Sequence, residues 1–484
     1  MSRISYPLMI VLGATLVIFG ASAQPTPALR DTLHQTVNVL ESNLSHQKDV
    51  AVTVYNNDRA LVRDRRAVKL LPGQVSLKFM DVAERILPET VSLKSLSSPG
   101  ALHILEQNYE YDLMSPSKLM EKYVGREVRL VSHSTETTFH EVAATLLSVN
   151  EGPVYQVGKD IYLGHPGQVV LPEIPEDLIA KPSLIWLLNN EGTDHEVEAT
   201  YLTGGISWKA DYVITLNKAE TAMDMEGWVT LDNRSGATYQ NARLKLVAGD
   251  VNVVRQEFDG IKAMRAMAAP MAPMAEMVQE AFAEYHLYSL PRRTTIKQNQ
   301  SKQVSMLSAN DVGVKKIYEF RGNPSYYSQR IPRFEKEKVA VFLIFWNKAE
   351  NQMGMPLPAG VMRVYQEDSE GMLQFSGEDR IQHTPKDEEV RLRLGNAFDV
   401  VGERKQTDYK SIGPNIHQSE YEIILRNHKE QDIVVDVVEP MSGDWEILKS
   451  SMDYKKKDAQ TVVFNVPVPK DGEARVTYRV HVRY

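Results

Sequence analysis

Acidic residues and a histidine concentrate in one short part of the chain, residues 368–388. The set consists of Asp368, Glu378, Asp379, His383, Asp387 and Glu388. Carboxylates and an imidazole that converge from neighbouring strands could bind a hard or borderline cation, or act as base and acid. On that hypothesis Asp379 or Glu378 is the base or a ligand, and His383 a ligand or the acid. The alternative is a solvated hairpin, because Asp368-Ser369-Glu370-Gly371 has the composition of a turn.

Methionines in the loop at residues 262–284 suggest a second kind of chemistry. Met264, Met267, Met271, Met274 and Met277 lie there among Ala and Pro. Thioethers select the soft ion Cu(I), so one hypothesis is a copper site. The alternative, which we favour, is a low-complexity loop whose methionines make flexible apolar contacts, because Pro270 and Pro273 interrupt any continuous methionine face.

Complete catalytic motifs are absent from the sequence. There is no His-Glu-x-x-His pair and no Gly-x-Ser-x-Gly elbow, the common zinc-peptidase and esterase motifs. The segment from Gly152 to Lys159 imitates a phosphate-binding loop, but its glycines are one residue too far apart. We therefore assign no catalytic, cofactor-binding or metal-binding residue, and we expect the protein not to be an enzyme.

Tryptophans offer a lead towards ligand binding without catalysis. Strand-like runs contain Trp186, Trp208, Trp228, Trp346 and Trp445. Such side chains could line a carbohydrate or peptide surface. The alternative is that most of them belong to the core, because strands favour large aromatic side chains on their buried faces.

Composition and charge narrow the range of partners. The 484 residues are 43% hydrophobic and 24% charged, an ordinary globular composition. The formal net charge is −8 and no basic stripe is present, so we expect neither nucleic acid nor anionic lipid as a partner. The absence of Cys excludes disulfides, thiolate zinc sites and cysteine nucleophiles.

The first 23 residues have the three-part pattern of a secretory signal peptide. Arg3 precedes a short apolar stretch at residues 8–19, and Ala21-Ser22-Ala23 supplies small residues at the cleavage point. An uncleaved anchor is the alternative, but a spanning helix needs about 20 apolar residues. We predict cleavage before Gln24, no transmembrane segment thereafter, and export to a periplasm or the outside of the cell.

The leader at residues 24–47 has apolar residues at helical spacing: Leu29, Leu33, Val37, Leu40 and Leu44. This spacing predicts an amphipathic helix. A flexible leader after Pro25 and Pro27 is an equal alternative.

From Val50 onwards the hydrophobic period changes to two, which predicts strands. We expect an all-β fold of tandem antiparallel β-sandwich domains, with a small inserted SH3-like or OB-like barrel and an immunoglobulin-like C-terminal domain. The predicted segments are an N-terminal β domain (48–118), the barrel (119–175), a central sandwich (176–385) and the C-terminal domain (386–484). The barrel strands are expected at residues 127–131, 141–149, 154–157, 161–163 and 168–171.

Several stretches resemble one family. They are Ile206-Ser207-Trp208-Lys209-Ala210-Asp211-Tyr212, Leu246-Val247-Ala248-Gly249-Asp250-Val251-Asn252, Tyr285-His286-Leu287-Tyr288, Gly360-Val361-Met362-Arg363-Val364-Tyr365 and Leu394-Gly395-Asn396-Ala397-Phe398-Asp399-Val400. Together they resemble the exported family known as domain of unknown function 4139, sometimes described as mucoidy-inhibitor-like, over about residues 184–484. The resemblance implies an exported β-rich protein and brings no established activity or catalytic residue.

The sequence therefore favours an exported, non-catalytic binding or scaffolding protein of the cell envelope. Its partner would be a protein or polysaccharide of the envelope, met at exposed strand edges or at the inserted barrel. One alternative is a metal-dependent envelope hydrolase that uses the Asp368–His383 region. Another is a copper-handling protein that uses the methionine-rich loop.

Overall fold

The structure, a computed structural model, describes residues 38–135, 138–164, 167–175, 178–249, 277–331 and 336–484. The predicted signal peptide and residues 24–37 of the leader lie outside these ranges. The described helical elements are α1 (Pro116–Lys122) and short 3-10 helices at Leu44–His46, Pro88–Thr90, Pro324–Tyr327 and Ala349–Asn351. No helix among the described residues has the length and apolar character needed to cross a membrane.

All other regular elements are β-strands. The strands before residue 250 are β1 (Asn38–Ser42), β2 (Gln47–Tyr55), β3 (Arg59–Lys69), β4 (Gly73–Met80), β5 (Ser92–Ser95), β6 (Leu102–Glu110), β7 (Glu127–Thr135), β8 (Thr138–Ser148), β9 (Val154–Val157), β10 (Asp160–Leu163), β11 (Gln168–Val170), β12 (Ser183–Asn190), β13 (Asp194–Gly204), β14 (Ile206–Leu216), β15 (Ala222–Asn233) and β16 (Tyr239–Ala248).

The strands after residue 276 are β17 (Val278–Phe282), β18 (Tyr285–Ser289), β19 (Thr294–Ile296), β20 (Gln300–Gly313), β21 (Lys315–Arg321), β22 (Lys336–Trp346), β23 (Gly360–Glu367), β24 (Leu373–Ile381), β25 (Glu389–Gly413), β26 (Ile416–Asn427), β27 (Ile433–Pro440), β28 (Asp444–Ser450), β29 (Lys455–Asp458), β30 (Thr461–Val468) and β31 (Gly472–Arg483). The predicted all-β fold class is confirmed.

Within the described residues the strands form five sheets. The N-terminal sheet has the order β1-β4-β12-β6, and the inserted sheet has the order β10-β9-β8-β7-β11. The large sheet runs β17-β18-β16-β2-β3-β13-β5, with β19 also paired to β16, and the central sheet runs β20-β15-β14-β23-β24. The C-terminal sheet runs β28-β31-β26-β25-β22-β21-β27-β30-β29. Most pairs are antiparallel, but β1–β4, β2–β16, β14–β23 and β21–β27 are parallel.

The N-terminal, large and central sheets enclose one hydrophobic core. Trp186 of the N-terminal sheet, Val52 of the large sheet and Tyr212 of the central sheet are all buried in it. Strand β12 pairs with β4 on one side and β6 on the other. The predicted division between an N-terminal domain (48–118) and a central domain (176–385) is therefore wrong, because strands from both segments build the same sheets.

The segment between β6 and β12 is an excursion from the N-terminal sheet. Ser183 lies opposite Glu110, so the chain returns beside the point where it left. All the strands predicted for this segment are present, but the predicted barrel is not closed, since β10 pairs only with β9 and β11 only with β7 in the described chain. These two end strands have four and three residues and do not pair with each other.

The predicted helix in the leader is wrong for the residues that the structure describes. Strand β1 pairs in parallel with β4, and Leu40 lies opposite Leu77. A 3-10 helix follows, and the side chain of Asn43 caps it by accepting the N–H of Ser45. Pairing with β4 satisfies the backbone of this segment, so tertiary contact overrides the helical spacing.

The C-terminal sheet begins earlier than predicted. Strands β21 and β22 belong to it although they precede residue 386, whereas β23 and β24 belong to the central sheet. Its nine strands fold over a second core that contains Tyr421, Phe464 and Tyr478. The two end strands approach each other, because Trp445 of β28 donates a hydrogen bond to the carbonyl of Ala459, 2.8 Å away, just after β29.

A buried arginine joins the N-terminal sheet to the large sheet. Arg66 of β3 donates hydrogen bonds to the carbonyl of Ser42 at 2.8 Å and to that of Met80 at 2.9 Å. Its charge is balanced by Asp64 at 2.7 Å, and its guanidinium stacks on the ring of Phe79. Because a buried charge is costly unless it is paired and hydrogen-bonded, this set fixes how the two sheets meet.

A second buried arginine lies inside the C-terminal sheet. Arg404 of β25 bonds Glu439 of β27 at 2.6 Å, and both side chains are fully buried. The hydroxyl of Tyr327 donates to the other carboxylate oxygen at 2.5 Å. A Cβ on Gly322 would lie 2.5 Å from that same oxygen, so only glycine fits beside the pair. The pair therefore links β25 to β27, although β22 and β21 lie between these two strands in the sheet.

Removal of the Glu439 carboxylate should destabilise the C-terminal sheet strongly. The change Glu439→Ala leaves the charge of Arg404 buried without a partner, and we expect the free energy of unfolding to fall by about 3–5 kcal/mol. Urea denaturation followed by near-ultraviolet circular dichroism measures it. The control Glu446→Ala, at an exposed position on β28, should cost less than about 0.5 kcal/mol. Similar losses in the two variants would contradict the role of the buried pair.

Buried tyrosines should limit stability at alkaline pH. Burial raises the pKa of Tyr327 and of Tyr478 well above its ordinary value, and the nearby Glu439 carboxylate raises each pKa further. The folded state therefore disfavours deprotonation, so this stability is present below about pH 10 and is lost as pH rises above it. Tyrosinate absorbance from these residues should appear together with unfolding. Its appearance in a still-folded protein would contradict their burial.

Candidate functional site

The acidic cluster predicted at residues 368–388 begins with a turn between β23 and β24. One carboxylate oxygen of Asp368 accepts the N–H groups of Glu370 and Met372, and the other accepts the side-chain amide of Gln374. Hydrogen bonds from Met372 and Gln374 are the main cause that lowers the pKa of Asp368. This carboxylate therefore stabilises a hairpin turn, as the alternative interpretation predicts.

The next members of the cluster join neighbouring strands. Glu378 pairs with Arg363 at 3.2 Å, and Asp379 accepts the backbone N–H of Arg393 at 2.7 Å. Nδ1 of His383 accepts the N–H of Ala359 at 3.2 Å.

Asp387 and Glu388 make backbone hydrogen bonds with Asn347. Among the described residues, no three His, Asp or Glu side chains are placed to hold a metal ion. The described members of the predicted cluster thus make separate contacts with neighbouring strands and turns, and the hydrolase hypothesis stays an untested prediction.

The methionine-rich loop lies mostly outside the described residues. Of its methionines only Met277 is described; its side chain is buried and its N–H donates to the carbonyl of Met306. The copper hypothesis therefore stays an untested prediction.

The tryptophans do not line one surface. Trp186 and Trp208 are buried, and their indole N–H groups donate to Gln107 and to the carbonyl of Val247. Trp346 is exposed beside Lys348. The core interpretation is confirmed for Trp186 and Trp208, so no shared aromatic binding surface results.

A cavity of about 570 Å³ lies between β1, β3 and the start of β13. His195 lines it, and Nδ1 of this histidine lies 2.9 Å from the hydroxyl of Ser95. Ser95 also accepts the N–H of Ser98 and is buried. In the described residues Nε2 of His195 has no hydrogen-bond partner, so no carboxylate orients the ring as nucleophilic catalysis requires. The contact links β5 to β13 and is not arranged as a catalytic dyad.

The free edge of the inserted sheet is the clearest candidate for a binding surface. Strand β10 pairs with β9 on one side and with no strand of the described chain on the other. Such an edge presents unpaired N–H and C=O groups that can pair with another extended chain. Nothing in this strand blunts the edge, since β10 contains no proline and its one charged residue, Asp160, lies at its start.

Apolar side chains cover both faces of this edge. Tyr162 lies opposite Tyr155, which is buried in the small core, whereas Ile161 and Leu163 point to the other face. Ile161 is 65% exposed and Leu163 is 87% exposed. A partner strand would therefore find free backbone groups and apolar contacts on the same edge.

The sequence carried a signal for this edge. Three consecutive apolar residues in a four-residue strand cannot all face one small core, because side chains alternate between faces. The Ser95–His195 contact had no such signal, since the two residues are distant in sequence and are brought together only by the pairing of β5 with β13.

Loss of the Asp379 carboxylate should lower the stability slightly and should not change how the melting temperature responds to metal ions. The change Asp379→Ala removes the acceptor for the Arg393 N–H, so we expect the free energy of unfolding to fall by about 1 kcal/mol. Added calcium, zinc or manganese should leave the melting temperature of the parent protein and the variant unchanged. Glu370→Ala, in the adjacent turn, is the control. A metal that stabilised the parent protein and not the Asp379 variant would restore the metal hypothesis.

Comparison with family models matches residues 197–484 to a family described as domain of unknown function (DUF4139). No curated protein sequence matches the chain. The matched region runs from β13 to the C-terminus, covers more than half of the chain and contains every stretch on which the resemblance was based. The chain therefore belongs to the DUF4139 family.

Proposed function

We propose that the chain is an exported, non-catalytic binding protein of the cell envelope, and that it binds an extended segment of a protein partner at β10. The observation that carries this proposal is the free β10 edge with its exposed Ile161 and Leu163. Strand addition uses backbone hydrogen bonds for affinity and alternate side chains for specificity, and β10 offers both. A protein partner fits better than a polysaccharide, because only a polypeptide supplies the matching row of N–H and C=O groups.

The inserted sheet is built as a firm support for such an edge. Its own core contains Tyr123, Val128, Leu130, Ala144, Leu146 and Tyr155. The hydroxyl of Tyr123 donates to the carbonyl of Glu173 at 2.8 Å, which ties α1 to the chain that returns towards β12. A preorganised strand loses little conformational entropy when a partner pairs with it.

The two ends of the excursion are joined to each other. Backbone hydrogen bonds between Met114 and Ile179 and between Ile179 and Asp112 join its two ends. Because the two ends of this inserted segment lie close together, the segment can carry a contact surface without disturbing the shared core.

Export rests on the N-terminal sequence pattern: Arg3, a short apolar stretch and Ala21-Ser22-Ala23. A cysteine-free chain is compatible with an oxidising compartment, because its stability does not depend on disulfides. We therefore place the proposed partner in the periplasm or at the cell surface.

A photo-crosslinking amino acid at position 163 tests the proposal in cells that produce the full chain. We expect one crosslinked protein, identified by mass spectrometry, and no such product from position 412, an exposed apolar position on the C-terminal sheet. With that protein purified, Ile161→Lys together with Leu163→Lys should weaken binding at least about tenfold. The matched control, Ile412→Lys with Leu448→Lys, should leave the affinity unchanged.

Two outcomes would contradict the proposal. Crosslinking of position 163 only to a second copy of the chain would make the edge a self-association site. An affinity that fell equally in the β10 variant and in the control variant would remove β10 as the contact.

A further inference from the structure

The outer face of the large sheet carries cations in adjacent rows. Strand pairing places Arg65 beside Glu198, and Glu198 beside Lys94, in one row across β3, β13 and β5. The next row contains Arg63 of β3 and Arg243 of β16, on either side of Ala51 of β2. Because directly paired residues share a face, all of these side chains leave the sheet on the side away from the shared core.

Acidic side chains lie beneath these cations. Glu198 bonds Arg63 at 2.9 Å and Lys94 at 3.0 Å, and burial raises its pKa less than these two partners lower it. Asp49 bonds Arg243 and, at 2.7 Å, Arg293. Through these ion pairs the two carboxylates hold the cations in place.

Exposure separates the two signs of charge. The side chains of Glu198 and Asp49 are only 2% and 9% exposed, whereas the cations above them are 34–61% exposed. Five cations stand against three acids, and the third acid, Glu196, bonds Arg65 and is itself 38% exposed. Cations thus outnumber acids in the solvent-facing layer, on a chain whose net charge is −8.

A second group of cations adjoins this face at Arg293. Arg292 precedes it in the chain, and Lys297 and Lys302 follow around β19. Burial lowers the pKa of Lys302, and the nearby charges of Arg292 and Lys297 lower it further. The charges of these three residues therefore lie close enough to one another to interact.

We propose that this surface, the arginine face (Arg63, Arg65, Lys94, Arg243 and Arg293), binds an acidic segment of a protein. Guanidinium groups can bind carboxylates through charge-assisted N–H bonds, and on this face Arg63 already donates to Glu198 and Arg65 to Glu196. The rows that carry the cations contain no aromatic side chain among the described residues, so the stacking used for single-stranded nucleic acid is missing. The face also lies on a sheet of seven strands in a row, which is wider than the helix or two-stranded ribbon that a major groove admits.

The arginine face acts independently of β10. It belongs to the large sheet, whereas β10 belongs to the inserted sheet, and the two contacts use different chemistry. Failure of one does not imply failure of the other.

Binding of labelled poly-L-glutamate to the full-length mature protein tests this inference. We expect binding at about 0.05 M salt that weakens steeply towards about 0.5 M, because exposed charge pairs are screened. Arg63→Gln and Arg243→Gln should each weaken binding roughly twofold to fivefold. Glutamine keeps a donor for the buried carboxylate, and thermal unfolding checks that each variant is folded.

Arg475→Gln is the matched control, because Arg475 is an exposed, acid-paired arginine of the C-terminal sheet (58% exposed, against 53% for Arg63). It should leave the affinity for poly-L-glutamate unchanged. Absence of binding, or equal loss in all three variants, would show that the arginine face only stabilises the sheet. Tighter binding to heparin or to a single-stranded oligonucleotide than to poly-L-glutamate would overturn the choice of an acidic protein segment.

Discussion

The buried Arg66 fixes the arrangement on which both proposed surfaces depend. It reaches from the large sheet to two carbonyl groups of the N-terminal sheet, and Asp64 neutralises it within the same strand. A charge in that position is tolerated only when nearly every donor is used, so a shifted packing of the two sheets would leave an unpaired charge in the core. The constraint selects one packing arrangement, whatever its net contribution to stability.

This packing decides which faces remain available to partners. The inner face of the large sheet is covered, so apart from the buried Asp64–Arg66 pair its charged residues lie on the outer side, where Arg63 and Arg65 join the arginine face. The N-terminal sheet, held against it, carries the inserted sheet between two of its strands. The arginine face therefore lies over the core that three sheets share, whereas β10 is supported by the separate small core of the inserted sheet.

The strands could be predicted from sequence far better than their partners. Alternation at Val52, Val54 and Val62 is a local property, and the strands are where that pattern places them. The domain boundaries were not predictable in this way, because β12 pairs with β4 and β6 across the whole insertion. Leu40 illustrates the same limit: its helical spacing is real, but pairing with β4 decides its conformation.

The candidate site was harder to predict for a related reason. Asp379 could be a metal ligand or a hydrogen-bond acceptor for a neighbouring strand. Residue type alone does not distinguish the two roles, because both place a carboxylate beside β25. The arginine face was missed because its cations come from β3, β5, β16 and the segment before β19, which are distant in sequence and become neighbours only when the strands pair. The net charge of the whole chain led us to expect no basic surface. That number is an average, and the distribution of charge over the surface is set by the fold.

The way this fold treats its other sheet ends supports a specific role for β10. In the C-terminal sheet the end strands β28 and β29 cover each other, through the hydrogen bond from Trp445 and the stacking of Lys456 on its ring. In the central sheet the end strand β24 is tied to β25 by Asp379. An exposed edge is an aggregation hazard that natural proteins usually cover or charge. No strand of the described chain covers the outer edge of β10, and Ile161 and Leu163 add exposed apolar surface there, as expected of an edge that pairs with another chain.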